Sequence, residues 1–453
     1  TEKYGVFPLK GKLLNFRDAS PKDLLKNEEI KNLKQILGLK QGKKYTSTKD
    51  LRYGGIIILC DQDVDGSHIK GLLINFIHFF WPSLLKIEGY VQAMTTPIIK
   101  AFKDNDIKGT HTKPFYTMTQ YQDWVNNDLK GKTSGWKIKY YKGLGTSTEK
   151  EAKECFIDFE KSLITYLWNQ EEDKKDLEDG DIESESEDED KDEDEDVEDE
   201  KEEDNEDEDD NEDDNDEDDD KSTSDSDMDR PKMPDKCTNS INLAFAKSLS
   251  DARKRWLMTY NRNNIIDNSV KKVPVTDFIH KELIHFSNYD NFRSIPSLDG
   301  FKPSQRKIVY ASFLRKLLKG EVKVVQLAGF VSDNAEYHHG EASLQGAIVN
   351  MAQNHVGSNN TNILTPNGNF GTRRTGGKDA SSARYIFTQF SDFVPFLFRD
   401  EDKNVLDRVV EDGVKVEPKL YPTILPVALL NGCEGIGTGF STFIPSYNPK
   451  DLA

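Results

Sequence analysis

Asp61, Asp63 and Asp65 stand at i, i+2 and i+4 in Asp61-Gln62-Asp63-Val64-Asp65-Gly66, directly after the apolar run Gly54-Gly55-Ile56-Ile57-Ile58-Leu59-Cys60. Three carboxylates leaving the end of a buried strand are expected to converge on one small volume. Unpaired charge is costly there, and a hard divalent cation such as Mg²⁺ suits an all-oxygen donor set. Positions 1, 3, 5 and 6 of a calcium loop also fit, but position 12 is Leu72 rather than Glu, and a strand rather than a helix precedes the loop. One plain alternative stays open, an Asp-rich surface turn with Asp65 as a helix cap.

A second constellation is Asp379-Ala380-Ser381-Ser382-Ala383-Arg384-Tyr385-Ile386-Phe387, in a segment rich in glycine and cations. A phenol with pKa about 10 is a weak nucleophile at neutral pH and needs a nearby base or positive field. Arg384 offers charge to phosphate oxygens, and His338 or His339 offers a proton carrier. With 16 tyrosines in the chain, spacing alone leaves Tyr385 as easily a core or surface residue. Basic residues recur at Lys10–Arg17, Arg253–Arg255, Lys302–Lys307 and Arg373–Lys378, a pattern that fits phosphate-backbone contact better than four unrelated solvated faces. Ile436, set among glycines in Gly432-Cys433-Glu434-Gly435-Ile436-Gly437-Thr438-Gly439, is either a core residue or an apolar wedge on a thin loop, and the residues alone favour the core.

The elements that position these groups follow from periodicity. The run at 54–60 reads as a buried strand, and Ile69, Leu72, Leu73, Phe76, Ile77 and Phe80 mark a helix that Pro82 stops. Trp136, Ile138 and Tyr140 alternate with lysines as a half-exposed strand, and a helix begins near Thr148, so residues 1–168 read as an α/β domain. One helix is expected over Leu243–Tyr260, another from Pro303, and a third around Leu344–Ala352. Helices followed by the glycine-rich basic stretch 362–387 have the order of a winged helix-turn-helix, whose second helix enters a DNA groove.

Composition divides the chain in two. The 453 residues carry a net charge of −20, but residues 171–220 alone hold 37 acidic residues and four lysines, a local −33 that leaves +13 on the other 403. A basic body with an acidic, low-complexity insertion is the result, and residues 169–236 are expected to be disordered. The four scattered cysteines form no CxxC pair, which argues against a disulfide scaffold and a cysteine zinc site. The most apolar stretch, Leu72–Leu85, is broken by His78 and Pro82 and is too short for a bilayer. The chain opens at Thr1 without a signal pattern and is expected to be a piece of something longer.

Six blocks now stand in order: Pro8-Leu9-Lys10-Gly11-Lys12-Leu13-Leu14-Asn15, Asp61 to His68, Tyr141-Lys142-Gly143-Leu144-Gly145-Thr146-Ser147, Asp299-Gly300-Phe301-Lys302-Pro303-Ser304-Gln305-Arg306-Lys307, Tyr337-His338-His339-Gly340-Glu341, and Ala383-Arg384-Tyr385. Together they resemble the eukaryotic type IIA DNA topoisomerases, which pass one duplex through another. The resemblance implies a multidomain α/β plus α+β fold. Its parts would be a Toprim domain with a Rossmann-like parallel sheet (1–168), the acidic insertion (169–236), a helical connector (237–287), a winged-helix domain (288–415) and the start of a tower domain (416–453).

It implies, further, that Tyr385 attacks a backbone phosphate and holds the 5′ end, with Arg384 and His339 as catalytic partners. Asp61 and Asp63 would carry two Mg²⁺ ions, with Asp65 in support. Lys12, Asn15, Lys142, Arg253, Lys254, Lys302, Arg306 and Tyr337 would contact DNA, and Ile436 would wedge between base pairs. A nuclear homodimer is implied, in which the nucleophile of one subunit meets the metal site of the other, with double-stranded DNA as partner and no membrane. Departures matter as well. The family's Glu-Gly-Asp-Ser block, which supplies a metal ligand, lies upstream of the first motif and outside this chain, as do the ATPase domain that uses ATP and the C-terminal gate. The chain by itself is therefore expected not to complete strand passage. Ser304 replaces the usual glycine of Lys-Pro-Gly-Gln. The acidic insertion is expected to be a solvated linker rather than a competitor for the DNA channel.

Overall fold

The apolar run forms a three-residue strand, Ile56–Ile58, and Gly66 is the reason the next element can start so soon after it. A Cβ on Gly66 would lie 1.9 Å from the Asp61 carbonyl oxygen, so only glycine lets the helix Val64–Phe80 begin against the loop. That helix ends where the Trp81 N–H bonds to the Ile77 carbonyl, one residue before Pro82. It is apolar on most faces and buries Ile74, Phe76 and Ile77 almost completely, each contributing about 1.5–3 kcal/mol of transfer free energy. The computed structural model describes residues 3–453 apart from 18, 105–111, 142–143, 158, 170–234, 268–269 and 412–413. Lys142 and the acidic tract 170–234 thus lie outside the described residues.

The strand Ile56–Ile58 pairs in parallel with Val91–Met94, Val91–Met94 pairs antiparallel with Leu163–Leu167, and Leu163–Leu167 pairs in parallel with Lys272–Pro274. The sheet is therefore mixed, and its last strand comes from beyond the acidic tract. Cys237, Ile241, Phe245, Val273, Phe278 and Ile279 are buried in the same core as Phe76 and Trp81, so residues 237–287 complete the first core rather than merely connecting two domains. Ion pairing crosses the same seam: buried Lys70 binds Glu282. A separate three-stranded antiparallel sheet, Thr112–Phe115, Ile99–Lys103 and Trp136–Tyr140, packs Ile99, Phe115 and Trp124 into its own small core.

One helix was expected over Leu243–Tyr260, and two are found, Lys236–Phe245 and Ser250–Met258, joined by a short 3₁₀ turn. Ala246 takes an extended ψ of 132° and breaks the run. The break is bridged by Arg253, which is 9% exposed and donates to the Leu243 and Ala246 carbonyls at 2.8 and 2.5 Å. A charged side chain thus caps the end of the interrupted helix, binding the Leu243 carbonyl and an Ala246 carbonyl that also accepts from the Leu249 N–H at 3.2 Å.

The second core is built from three helices, Pro303–Leu314, Val324–Asn334 and Glu341–Ala352, over a sheet in which Phe387–Phe390 lies between Val322–Lys323 and Leu364–Asn367. This is the winged-helix order, with one helix more than periodicity showed. The valine-rich start of Val324–Asn334 hides its helical character. The hairpin Arg408–Glu411 with Val414–Pro418 straddles the expected domain edge at 415/416, because Glu417 is buried against Lys307. Beyond it come the hairpin Cys433–Ile436 with Ser441–Ile444 and the short helix Pro449–Leu452.

Asp299 holds the second core at its entrance. Its carboxylate is fully buried and accepts from the amides of Phe301 and Tyr421, both at 3.1 Å, and from Arg306 Nε at 2.7 Å. Removing it would leave the Arg306 guanidinium buried without its counter-charge. Asp299→Ala is expected to cost about 3–5 kcal/mol in urea unfolding, and adding Arg306→Met should recover much of that loss. A loss below about 1 kcal/mol would contradict this account.

Candidate nucleic-acid cleavage site

Asp61 follows the first strand, and Asp63 and Asp65 open the Val64–Phe80 helix. The three carboxylates do not converge as expected, because other groups compete for their oxygens. Asp63 Oδ1 turns back to accept from the Gly66 amide at 2.7 Å, which makes Asp63 rather than Asp65 the helix cap. Asp65 accepts from Lys12 Nζ at 2.7 Å and from both Nη atoms of Arg293 at 3.2 and 3.3 Å. Among the described residues no three His, Cys, Asp or Glu side chains are arranged to hold a metal ion.

Electrostatics nevertheless separate the two carboxylates. Partial desolvation, and then the neighbouring charges of Asp65 and Asp61, push the Asp63 carboxyl above its usual range. For Asp65 desolvation acts in the same direction, but hydrogen bonds from Lys12 and Arg293 outweigh it and hold the group ionised and low. Asp65 is thus neutralised by Lys12 and Arg293, and Asp61 and Asp63 carry hard oxygens of the kind that could enter a divalent cation's ligand set.

Arg293 is absent from the six motifs, and it is the residue that ties this cluster together. It lies on the helix Ile284–Ser294 with Phe286 and Tyr289 on the same face, its guanidinium 5.7 and 5.4 Å from their ring centres. Lys12 Nζ sits 4.9 Å from the Phe286 ring, and His68 stacks on that ring at 3.8 Å. Burial, and then Lys12, push the His68 imidazole down to about 4, so it is neutral at physiological pH. The Tyr289 hydroxyl and His339 Nε2 share a 3.0 Å hydrogen bond. His339 thus joins the Arg293 side of the site. Burial and then the Arg293 charge lower its pKa. The signal in the sequence was the i, i+3, i+7 spacing of Phe286, Tyr289 and Arg293.

Tyr385 belongs to the second core's surface. Val325 N–H donates to the Ala383 carbonyl and Val324 N–H to that of Ile386, and the Ile386 side chain is 2% exposed. Between these anchors Arg384 and Tyr385 face outward, Tyr385 being 66% exposed with the Arg384 guanidinium 4.9 Å from its ring centre. Arg373, Arg374 and Lys378 are exposed on the same glycine-rich segment. That segment is braced by Asp379, whose carboxyl is lowered to about 2 by hydrogen bonds from Thr375 and from the amide and hydroxyl of Thr372.

The expected DNA contacts divide by exposure. Lys12 is exposed but paired with Asp65; Lys254 pairs with Asp251 at 2.9 Å; Lys302 stands half-buried at the start of the Pro303–Leu314 helix; Tyr337 lies edge-on to the His339 ring at 5.5 Å. Arg306 and Arg253 are buried scaffold groups, unlike the open phosphate ligands expected. Asn15 spends its amide on the Phe245 carbonyl at 2.9 Å and accepts from Asn75 at 3.0 Å. Ile436 is 75% exposed at the hairpin end, which excludes the core alternative.

Comparison with known proteins accounts for this combination. Residues 1–94 match the Toprim domain, residues 94–210 and 218–291 match the C-terminal associated domain of TOPRIM, and residues 293–453 match the A-subunit family of DNA gyrase and topoisomerase IV. The chain is 48% identical over 450 residues to DNA topoisomerase 2 of Acanthamoeba polyphaga mimivirus, which covers 99% of this chain and 34% of that protein. It is 46% identical over 450 residues to DNA topoisomerase 2 of Arabidopsis thaliana, covering 99% of this chain and 26% of that protein. It spans, then, roughly a quarter to a third of the curated relatives it matches. Among solved structures it is similar to the Plasmodium falciparum topoisomerase II DNA-binding, cleavage and re-ligation domain, with a TM-score of 0.71 and 43% identity over 100% of this chain and 52% of that one. With Toprim and gyrase A-type regions joined in one polypeptide, the chain belongs to the type II DNA topoisomerase family.

Proposed function

We propose that this chain is the DNA cleavage and rejoining core of a type II topoisomerase, working in a nuclear homodimer on double-stranded DNA. The observation that carries the reading is Tyr385, a phenol left 66% exposed among four outward-facing cations of its own segment. Its oxygen attacks a backbone phosphorus. The new O–P bond forms as the bond to the 3′ oxygen breaks, the phenol proton passes to a base, and the departing 3′ oxygen takes up a proton. Reversal rejoins the strand. The phosphodiester energy is kept in the tyrosyl link, so resealing needs no further cofactor.

Arg384 supplies positive charge to the phenolate and to the phosphate oxygens. Burial and then the Arg293 charge favour the uncharged form of His339, the form in which a ring nitrogen can accept a proton. Asp61 and Asp63 would hold Mg²⁺, two ions per site by family resemblance, and the bound metal supplies positive charge at the leaving oxygen. Lys12, Lys254, Lys302 and Tyr337 contact the duplex, and Ile436 opens a base step so that the DNA bends. Relaxation, decatenation and unknotting driven by ATP belong to the whole protein, of which this chain is the cleaving part.

Two measurements test this. Denaturing the full-length enzyme on supercoiled DNA should trap a covalent adduct whose modified residue, located by mass spectrometry, is Tyr385. Tyr385→Phe should yield none, and an undiminished adduct from that variant would refute the assignment. Lys302→Ala should flatten the dependence of log K on log salt by about 0.9, the share of one phosphate contact. An unchanged slope would remove Lys302 from the interface.

A further inference from the structure

The hairpin that carries Ile436 rests on the helix Ile284–Ser294 with almost no space between them. A Cβ on Gly437 would lie 2.1 Å from Asn291 Oδ1, and one on Gly435 would lie 2.4 Å from the Ser294 carbonyl oxygen. Polar contacts fix the seat. Thr438 Oγ1 donates to Asp290 Oδ2 at 3.0 Å, and Asn291 Nδ2 donates to the Thr438 carbonyl at 3.0 Å. Asp290 is also an ion-pair partner of Arg293 at 3.5 Å, and Arg293 grips Asp65 with both Nη atoms. An unbroken polar relay therefore runs Thr438–Asp290–Arg293–Asp65, from the turn beside the wedge to the carboxylate beside Asp63. All three charged members keep side-chain exposures of 23–27%, so solvent screens the relay only in part.

We propose that Asp290 is a positioning residue that couples insertion of the Ile436 hairpin to cation binding at Asp61 and Asp63. The proposal rests on the cleavage-core reading above. A duplex that seats the wedge pulls on Thr438, and Asp290 passes that displacement to Arg293, which sets how much of its charge falls on Asp65. The negative potential felt by Asp61 and Asp63 changes accordingly. By linkage, bending and cation affinity must strengthen one another by the same factor, about 5- to 10-fold for a coupling of ordinary size.

The test uses the full-length homodimer in a Tyr385→Phe background, so that the duplex stays intact. Two readouts are taken: bending of a doubly labelled duplex by fluorescence energy transfer, and the Mg²⁺ concentration that half-suppresses Fe²⁺-directed backbone scission at residues 61–65. The second reports occupancy of this site and ignores cations held elsewhere. Ile436→Ala should abolish bending and raise the Mg²⁺ midpoint about 5- to 10-fold. Asp290→Asn keeps an acceptor for Thr438 but removes the charge facing Arg293. It should bend the duplex as the parent does while its Mg²⁺ midpoint rises to the Ile436→Ala value, and the double variant should go no higher. A midpoint unchanged in Asp290→Asn, or effects that multiply in the double variant, would overturn the relay. Should Asp290→Asn lose bending, Thr438→Val against Thr438→Ser decides: equal midpoints overturn the proposal, and a raised midpoint for Val alone sustains it. If Ile436→Ala still bends the duplex, the wedge role fails and the relay falls with it, while the cleavage-core reading is judged separately by the Tyr385 adduct.

Discussion

Asp65 opens a helix that runs into the first core, and a carboxylate in that place needs counter-charge from outside its own element. Lys12 comes from the N-terminal motif and Arg293 from the helix that leads into the second core, so one side chain ties together three distant stretches of sequence. An exposed pair contributes about 0–1 kcal/mol. This one is half-shielded, uses both Nη atoms of Arg293, and stacks its cations over Phe286 and Tyr289, so it resists being pulled apart one contact at a time. The positions of His339, of the wedge hairpin and of Asp63 all follow from where that helix is held.

The same arrangement explains why the two groups proposed to act together need not meet within one chain. Asp61, Asp63 and Asp65 open an element of the first core, while Tyr385 is anchored by Ile386 to the second. The tyrosine faces outward on a positively charged segment, an orientation that serves a ligand lying across the surface. Homodimer assembly, as proposed, would present it to the acidic cluster of a second copy. Each copy then needs only to hold its own half of the chemistry rigidly, and buried Asp299 and Ile386 do that for the tyrosine.

Much of this was legible in the residues. Strand, acidic loop and helix at 54–80 followed from a continuous apolar run, a glycine and helical spacing, all local signals. The outward-facing Tyr385 was not, since exposure depends on whether Ala383 and Ile386 find partners at Val325 and Val324, about sixty residues away. Arg253 and Arg306 read as phosphate ligands because charge in sequence suggests surface. Only the fold reveals that their guanidinium groups are consumed by the Leu243, Ala246 and Phe301 carbonyls and by Asp299. The extent of the first core was hidden for a similar reason: the strand Lys272–Pro274 pairs with Leu163–Leu167 across more than a hundred residues, and no local pattern records such a pairing.

Competition for oxygen atoms is the subtlest point that spacing could not settle. Aspartates at i, i+2 and i+4 share a face only in an extended chain, and here the chain turns helical at Val64, which rotates Asp65 away from Asp61 and leaves Asp63 at the boundary. A helix N-terminus attracts the boundary carboxylate by its unpaired amides, and Asp63 answers that demand at Gly66. The acidic donors this segment can offer a cation are Asp61 and one oxygen of Asp63, whose acidity is weakened by partial burial and then by the charges of Asp65 and Asp61. Two carboxylates make a thin cradle for a hard ion that favours six oxygens. Further oxygens must then come from water, from the bound phosphate or from protein outside these residues. A site so built would hold its metal weakly until the substrate arrives, and so tie cation binding to the presence of a strand to cut.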